Sequence, residues 1–590
     1  MQQAAPVAAD DLLTQALASL AAGDLHGAGV AYQQARSAAP KSAELPHRMG
    51  LALAEAGRAQ EALVQHFVAE RLAPGEARYR RTLAAALAGA NLAKGSPAIV
   101  ESLCRLLAAP DIGPHDVAPA AWTLVDARPA VRHLWLALEH PDFARVEACM
   151  LEPAVQQELA QPLLQLLLAR AQVLTPEHET ALAALRAFAL RVLPQPRLAW
   201  LIAEGPEPLA ALALQADLAG HAWPETAPEE AALSTLSPRI AHRGATAQEM
   251  LLHACYRGWP EALAWPAGLP ESPILAEAHR RLSEEPAERR GLAAALPALT
   301  PRAEDSERPT GPTTPWLATT LPQPRPLAEA LRGLFPDLTL APPPEPLSLL
   351  IAGCGTGEQA IAAASRFTGA EALATDTSRA ALAYAQQRAQ AMGVRQIAFA
   401  AADPLALGSL ERRFGLIACE LHRVADPAAT WRALRGLLAP RGLMHIGLQS
   451  RLGRRALMPV QQRAGTGPGR PADAAALRRL RHWLIAHRDQ PEAALVLSLR
   501  EAWQLDELRT LLFPIGRRRT SLPEIAGLLD ELDLRFLGFE FRDPRTPALF
   551  RSEHPQVGAE RDLALWQAFE EARPATFTAG YRFWCRAQDR

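Results

Sequence analysis

At 590 residues the chain exceeds what one hydrophobic core usually organises, so two or three domains are expected. Its 61 Lys and Arg against 63 Asp and Glu leave a formal charge of -2, which excludes a broad basic field for nucleic-acid phosphates. Six cysteines with no C-x-x-C pair, a polar and acidic start from Met1 to Asp11, and no apolar run of about 18 residues argue against disulfides, metal, secretion and membrane insertion. A reduced, cytoplasmic protein is expected.

Two segments near the start superimpose at a period of 34 residues. Ala16, Gly23, Ala28, Ala35 and Pro40 fall on Gly50, Gly57, Ala62, Ala69 and Pro74. Small residues recur where paired helices must touch, glycine marks the turn and proline ends the second helix. Tyr79 to Asn91 reads as the first helix of a decayed third copy. From about Ser96 to Leu299, leucine and alanine stay at helical spacing, interrupted by prolines, without the period. Degenerate solenoid and separate all-helical body both fit that stretch.

A dozen prolines between Pro301 and Pro346 indicate an extended linker, with one short helix over Leu327 to Phe335 and an aromatic anchor at Pro315-Trp316. Strand-length apolar runs then alternate with helices: Leu347 to Ala352, Ala370 to Thr375, Gln396 to Ala401, Leu416 to Cys419 and Leu443 to Leu448. That alternation predicts a parallel, doubly wound sheet. Two late runs, Leu534 to Phe541 and Gly580 to Arg586, are read as close neighbours forming an antiparallel edge pair. The resulting domains are 1–95, 96–300, a linker at 301–346, and 347–590.

The first strand opens straight into Gly353-Cys354-Gly355-Thr356-Gly357, and the next ends at Asp376. Closely spaced glycines between strand and helix let backbone approach a nucleoside. A dinucleotide fingerprint needs its last glycine where this chain has Glu358, whose carboxylate would repel a pyrophosphate. The G-x-G-x-G turn with an acid closing the second strand suits S-adenosylmethionine, which carries no phosphate, better than NAD.

The ordered set Ala352 to Gly357, Ala374-Thr375-Asp376, Ala402-Asp403, Ala425-Asp426-Pro427, Leu438 to Met444 and Phe577 to Cys585 resembles class I S-adenosylmethionine-dependent methyltransferases, in particular bacterial ones joined to amino-terminal tetratricopeptide repeats. The resemblance implies an all-α repeat region followed by a Rossmann-like α/β methyltransferase domain. It places Gly353, Cys354, Gly355, Thr356 and Gly357 along the methionine and ribose portions, Asp376 on the ribose hydroxyls and Asp403 on the adenine amino group. Three departures stand out. Ile351 replaces an acid two places before the first glycine; Ala418 to Val424 is shortened and keeps one histidine, His422; and Pro312 to Trp316 has lost a tyrosine and an arginine.

Methyl transfer from a sulfonium needs alignment more than a dedicated acid or base. Where the acceptor must lose a proton, His422 after the fourth strand is the candidate base, against a packing role in the loop. Glu420 is a candidate for the methionine portion or the acceptor, against a solvated loop carboxylate. Cys354 and Cys419 read as packing residues, Trp431 as core, and Arg517-Arg518-Arg519 as a solvated basic run. The expected function is methyl transfer to an unidentified acceptor, a protein slightly favoured over a glycan or small metabolite, with the repeat helices recruiting a peptide or protein and no nucleic acid or membrane involved. The alternative is an inactive scaffold of the same fold.

Overall fold

The computed structural model describes residues 8–92, 94–139, 142–193, 205–242, 244–261, 263–300, 316–338, 340–341, 343, 345–464, 473–513, 519–541, 543 and 545–588. The chain divides into two compact units: Met1–Gln172 with Leu317–Pro322, and Val173–Trp316 with Gln323–Arg590. The stretch read as one helical region, 96–300, is therefore shared between them.

In the first unit, α1 (Ala9–Ala21) and α2 (Leu25–Ala38) form a helical hairpin, and α3 (Glu44–Glu55) and α4 (Ala59–Leu72) repeat it 34 residues on. Gly23 and Gly57 turn the hairpins at φ +81° and +75°, a conformation glycine adopts at little cost. The aligned small residues Ala16, Ala28, Ala35, Ala62 and Ala69 are all buried between helices. Gly50 has a stricter reason: a Cβ there would meet the His66 ring at 2.5 Å. The third copy keeps its first helix, Ala77–Leu87. Beyond it the prolines start helices instead of breaking them, as at Pro97, Pro114, Pro153 and Pro162, because the first turn has no use for the missing N–H.

Burial, with the charge of His47 second, pushes His66 down to about 4. The folded state then binds fewer protons than the unfolded chain between that value and the ordinary histidine value near 6.5, so stability falls as pH drops through this interval. A His66→Gln variant should show a smaller fall in melting temperature between pH 7 and pH 4 than the parent; parallel falls would clear His66 of the effect.

The stretch read as a linker is extended but packed where it is described. Leu317, Ala318 and Leu321 are buried within the first unit, where Gly113 N donates to Thr320 Oγ1 at 2.8 Å. Trp316 belongs to the second unit, as does the short helix Leu327–Leu334. Proline forbids a helix there, yet the interleaved apolar side chains still gain by leaving water. Residues 301–315, including the Pro312 to Pro315 stretch, lie outside the described residues.

The second unit combines helices, Pro176–Val192 to Glu285–Ala295, with a seven-stranded sheet. The strands are β1 (Ser348–Ala352), β2 (Glu371–Asp376), β3 (Ile397–Ala401), β4 (Phe414–Glu420), β5 (Leu438–Leu448), β6 (Leu534–Phe539) and β7 (Tyr581–Ala587). Their order is β3-β2-β1-β4-β5-β7-β6, with β7 antiparallel to both neighbours. The expected late pair does form. Its strands are not close in sequence, however, because helices Arg545–Glu553 and Leu563–Ala572 intervene and cover the aromatic core of Phe550, Trp566, Phe569 and Phe583. Trp431 is fully buried in this same core.

Two insertions frame the sheet's carboxyl edge. Segment 297–300 runs beside β3, with Leu299 N donating to Ala401 O at 2.9 Å and Ala401 N to Pro297 O at 2.8 Å. Between β5 and β6, helices Ala474–Ala486 and Leu505–Leu512 dock on the helical body: Arg478 Nε donates to His221 O at 2.8 Å, and Arg481 grips Glu179 through both carboxylate oxygens.

Candidate active site

The sheet order reverses between β1 and β4, which is where an open α/β sheet leaves a crevice at its carboxyl edge. The glycine turn sits there. Gly353, Gly355 and Gly357 have φ of +74°, +55° and +85°, so all three need glycine's freedom. Gly357 needs it twice, since a Cβ would collide with that of Ala385 on the helix after β2, Arg379–Ala391. Gly353 N and Cys354 N both donate to Thr375 O, at 2.8 and 2.9 Å, tying the turn to β2.

Asp376 closes β2 and is 3 % exposed. Its Oδ2 accepts from Gly355 N and its Oδ1 from Ser378 N, each at 2.9 Å. The glycine turn and Asp376 are thus one hydrogen-bonded unit. From outside, Trp316 Nε1 donates to Thr356 O at 2.9 Å, while the Trp316 backbone is held by the Tyr384 hydroxyl. Burial pushes the Cys354 thiol well up, with Asp376 adding to it, so Cys354 is a neutral packing group.

Asp403 follows β3. Its Oδ1 accepts from Leu405 N at 3.0 Å in a local turn, and its backbone N donates to Thr300 Oγ1 at 3.0 Å. On the other side of the glycine turn, Glu420 ends β4 above Gly447, the one residue in that register with no side chain to obstruct it. His422 Nδ1 lies 3.2 Å from one Glu420 oxygen and Arg582 Nε 3.2 Å from the other. Burial works against the Glu420 charge, but His422, Arg582 and Arg423 overcome it and hold the carboxyl well below the usual range. A carboxylate accepts from a protonated Nδ1, which makes Nε2 the basic nitrogen of His422.

Every candidate residue therefore lies along one edge, in the order Asp403, Asp376, glycine turn, Glu420 and His422. Sequence reasoning missed Tyr384, Arg423 and Arg582, whose roles depend on packing between distant segments. Arg517 and Arg518 lie outside the described residues; the Arg519 carbonyl accepts from Arg451 Nη2 at 3.3 Å.

Strand order, glycine turn and strand-ending acid define a Rossmann-like domain of the class I methyltransferase type. A family model of the methyltransferase domain matches residues 349–442. Trans-aconitate 2-methyltransferase of Methylobacterium radiotolerans is 31% identical over 233 residues, covering 38% of this chain and 85% of that protein. An uncharacterised protein of a Synechococcus strain is 29% identical over 234 residues, covering 38% of this chain and 55% of the relative, so the chain spans about half that relative's length. The solved structure of PKMT2 from Rickettsia typhi is similar at 17% identity and a TM-score of 0.32, covering 44% of this chain and 52% of that one. The chain belongs to the methyltransferase-domain family.

Proposed function

We propose that the protein transfers a methyl group from S-adenosylmethionine to an acceptor, with a protein slightly favoured. The observation that carries the cofactor reading is Asp376 locked to the glycine turn. Its carboxylate accepts from Gly355 N and Ser378 N at the turn, and a carboxylate is the acceptor-only group that a pair of ribose hydroxyls calls for. Asp403 would accept from the adenine amino group, and the backbone of Gly353 to Gly357 would lie along the ribose and methionine portions. When bound, the cofactor supplies an electrophilic methyl on a sulfonium. Glu420 faces the acceptor side as a carboxylate and holds His422, whose Nε2 takes the acceptor's proton.

The protein preference rests on the 34-residue helical hairpins, which fit tetratricopeptide-type repeats that bind peptides. No helix among the described residues is long and apolar enough to cross a membrane. We place the enzyme in the cytoplasm, in keeping with six unpaired thiols. No observation favours the inactive scaffold, since turn and acid are both intact.

Incubation with methyl-labelled cofactor in cell extract tests the acceptor: label in protein supports the preference, and label only in small molecules refutes it. His422→Ala should slow transfer by about 10²-fold or more with cofactor affinity unchanged. Equal rates would remove His422 from the mechanism.

A further inference from the structure

We infer that Arg582 is a positioning residue for His422: by matching the charge of Glu420, it lets that carboxylate orient the imidazole without also holding a second proton on it. The inference rests on the reading of His422 as the base that takes the acceptor's proton.

The arrangement comes from three neighbouring strands. Glu420 on β4 is in register with Gly447 on β5, and Gly447 with Arg582 on β7. The outer two strands lie about 10 Å apart, twice the spacing of neighbours in a sheet, so their side chains meet only by crossing over the middle one. Gly447 leaves that path open, since a Cβ there would collide with the Glu420 carboxylate. Arg582 Nε lies 3.2 Å from one carboxylate oxygen, and His422 Nδ1 lies 3.2 Å from the other. All three side chains are largely buried, so water screens their charges only in part.

The chemistry sets a conflict that the arginine resolves. A carboxylate that accepts from Nδ1–H fixes the ring's tautomer and makes Nε2 the proton acceptor. An unmatched carboxylate beside the ring also stabilises the imidazolium, which accepts no further proton. A guanidinium stays charged at any working pH, so Arg582 offsets the Glu420 charge without competing for the proton. Among the neighbouring groups, Arg423 in the turn Leu421–Arg423 acts on Glu420 in the same direction, and its field also reaches Glu507 on the helix Leu505–Leu512. His445 on β5, which burial pushes down, lies 3.3 Å from Glu540 and senses both Glu420 and Arg582.

Nuclear magnetic resonance of the full chain carrying isotope-labelled histidine, with the His422 signal identified by its loss in His422→Gln, tests this. Arg582→Gln should move the midpoint of the His422 titration up by about one pH unit, and Arg582→Lys should restore most of the change. In cell extract with methyl-labelled S-adenosylmethionine at neutral pH, Arg582→Gln should transfer about 10-fold more slowly and regain rate as the pH is raised. An unmoved midpoint, or a slower rate that no pH recovers, would make Arg582 a support of β7 and overturn the inference. Either result, with His422→Ala inactive, would leave the base reading standing. Transfer by His422→Ala at the parent rate would instead overturn the base reading and this inference with it.

Discussion

Arg481→Leu is expected to lower the unfolding free energy of the second unit by about 3–5 kcal/mol, the largest stability effect of any single change considered. Glu179 and Arg481 are 2% and 1% exposed. The guanidinium meets both carboxylate oxygens, its Nε donates to Ala502 O at 2.7 Å, and it lies 5.4 Å from the Trp503 ring centre. Removing the cation takes both of its hydrogen bonds from a carboxylate that is 2% exposed. Replacing both partners by leucine should recover much of the loss, because the pair's attraction is largely offset by its desolvation. Urea unfolding followed by circular dichroism measures this. A single-variant loss below about 1 kcal/mol would show that water reaches Glu179.

This pair also bears on the site. It fixes the helix Ala474–Ala486 to the helical body, and the same insertion between β5 and β6 carries Arg500, which lies 3.4 Å from Glu358 on the helix that follows the glycine turn. None of that was visible in the sequence, where Glu179 and Arg481 stand 302 residues apart without a motif. What was visible had local causes. The strands announced themselves as short apolar runs because interior parallel strands are buried on both faces. The first glycine turn could be read because its backbone conformation excludes other residues. The 34-residue period could be read because Gly23 and Gly57 serve identical turns.

The prolines interrupt the helical stretch as its spacing indicates, but which helix each one starts was not legible: Pro97, Pro153 and Pro162 begin helices, and only the position within the helix decides that. Trp316 was anticipated as an anchor, whereas its partner Tyr384, 68 residues on, carries no signal in a helix of alanines. Arg423 went unremarked because its effect on the Glu420 charge comes from packing, which no spacing encodes.

Asp376→Ala should weaken S-adenosylmethionine binding by about 1–3 kcal/mol through the lost charged hydrogen bonds. The carboxylate holds the turn through Gly355 N and Ser378 N, so the alanine variant loses two acceptors from the folded turn as well. Asp376→Asn separates the two effects. Its amide oxygen can still accept from one N–H, so melting should recover more than affinity. Equal recovery of both would mean that Asp376 acts only by shaping the turn, and an unchanged dissociation constant in the alanine variant would refute the ribose assignment.

The decisive measurement is a paired calorimetric titration of the full chain with S-adenosylhomocysteine and with NAD. The glycine turn and the carboxylate of Glu358 at the first position of the following helix predict saturable one-to-one binding of the former and no binding of the latter. Heat on adding NAD, or none on adding S-adenosylhomocysteine, would contradict the account.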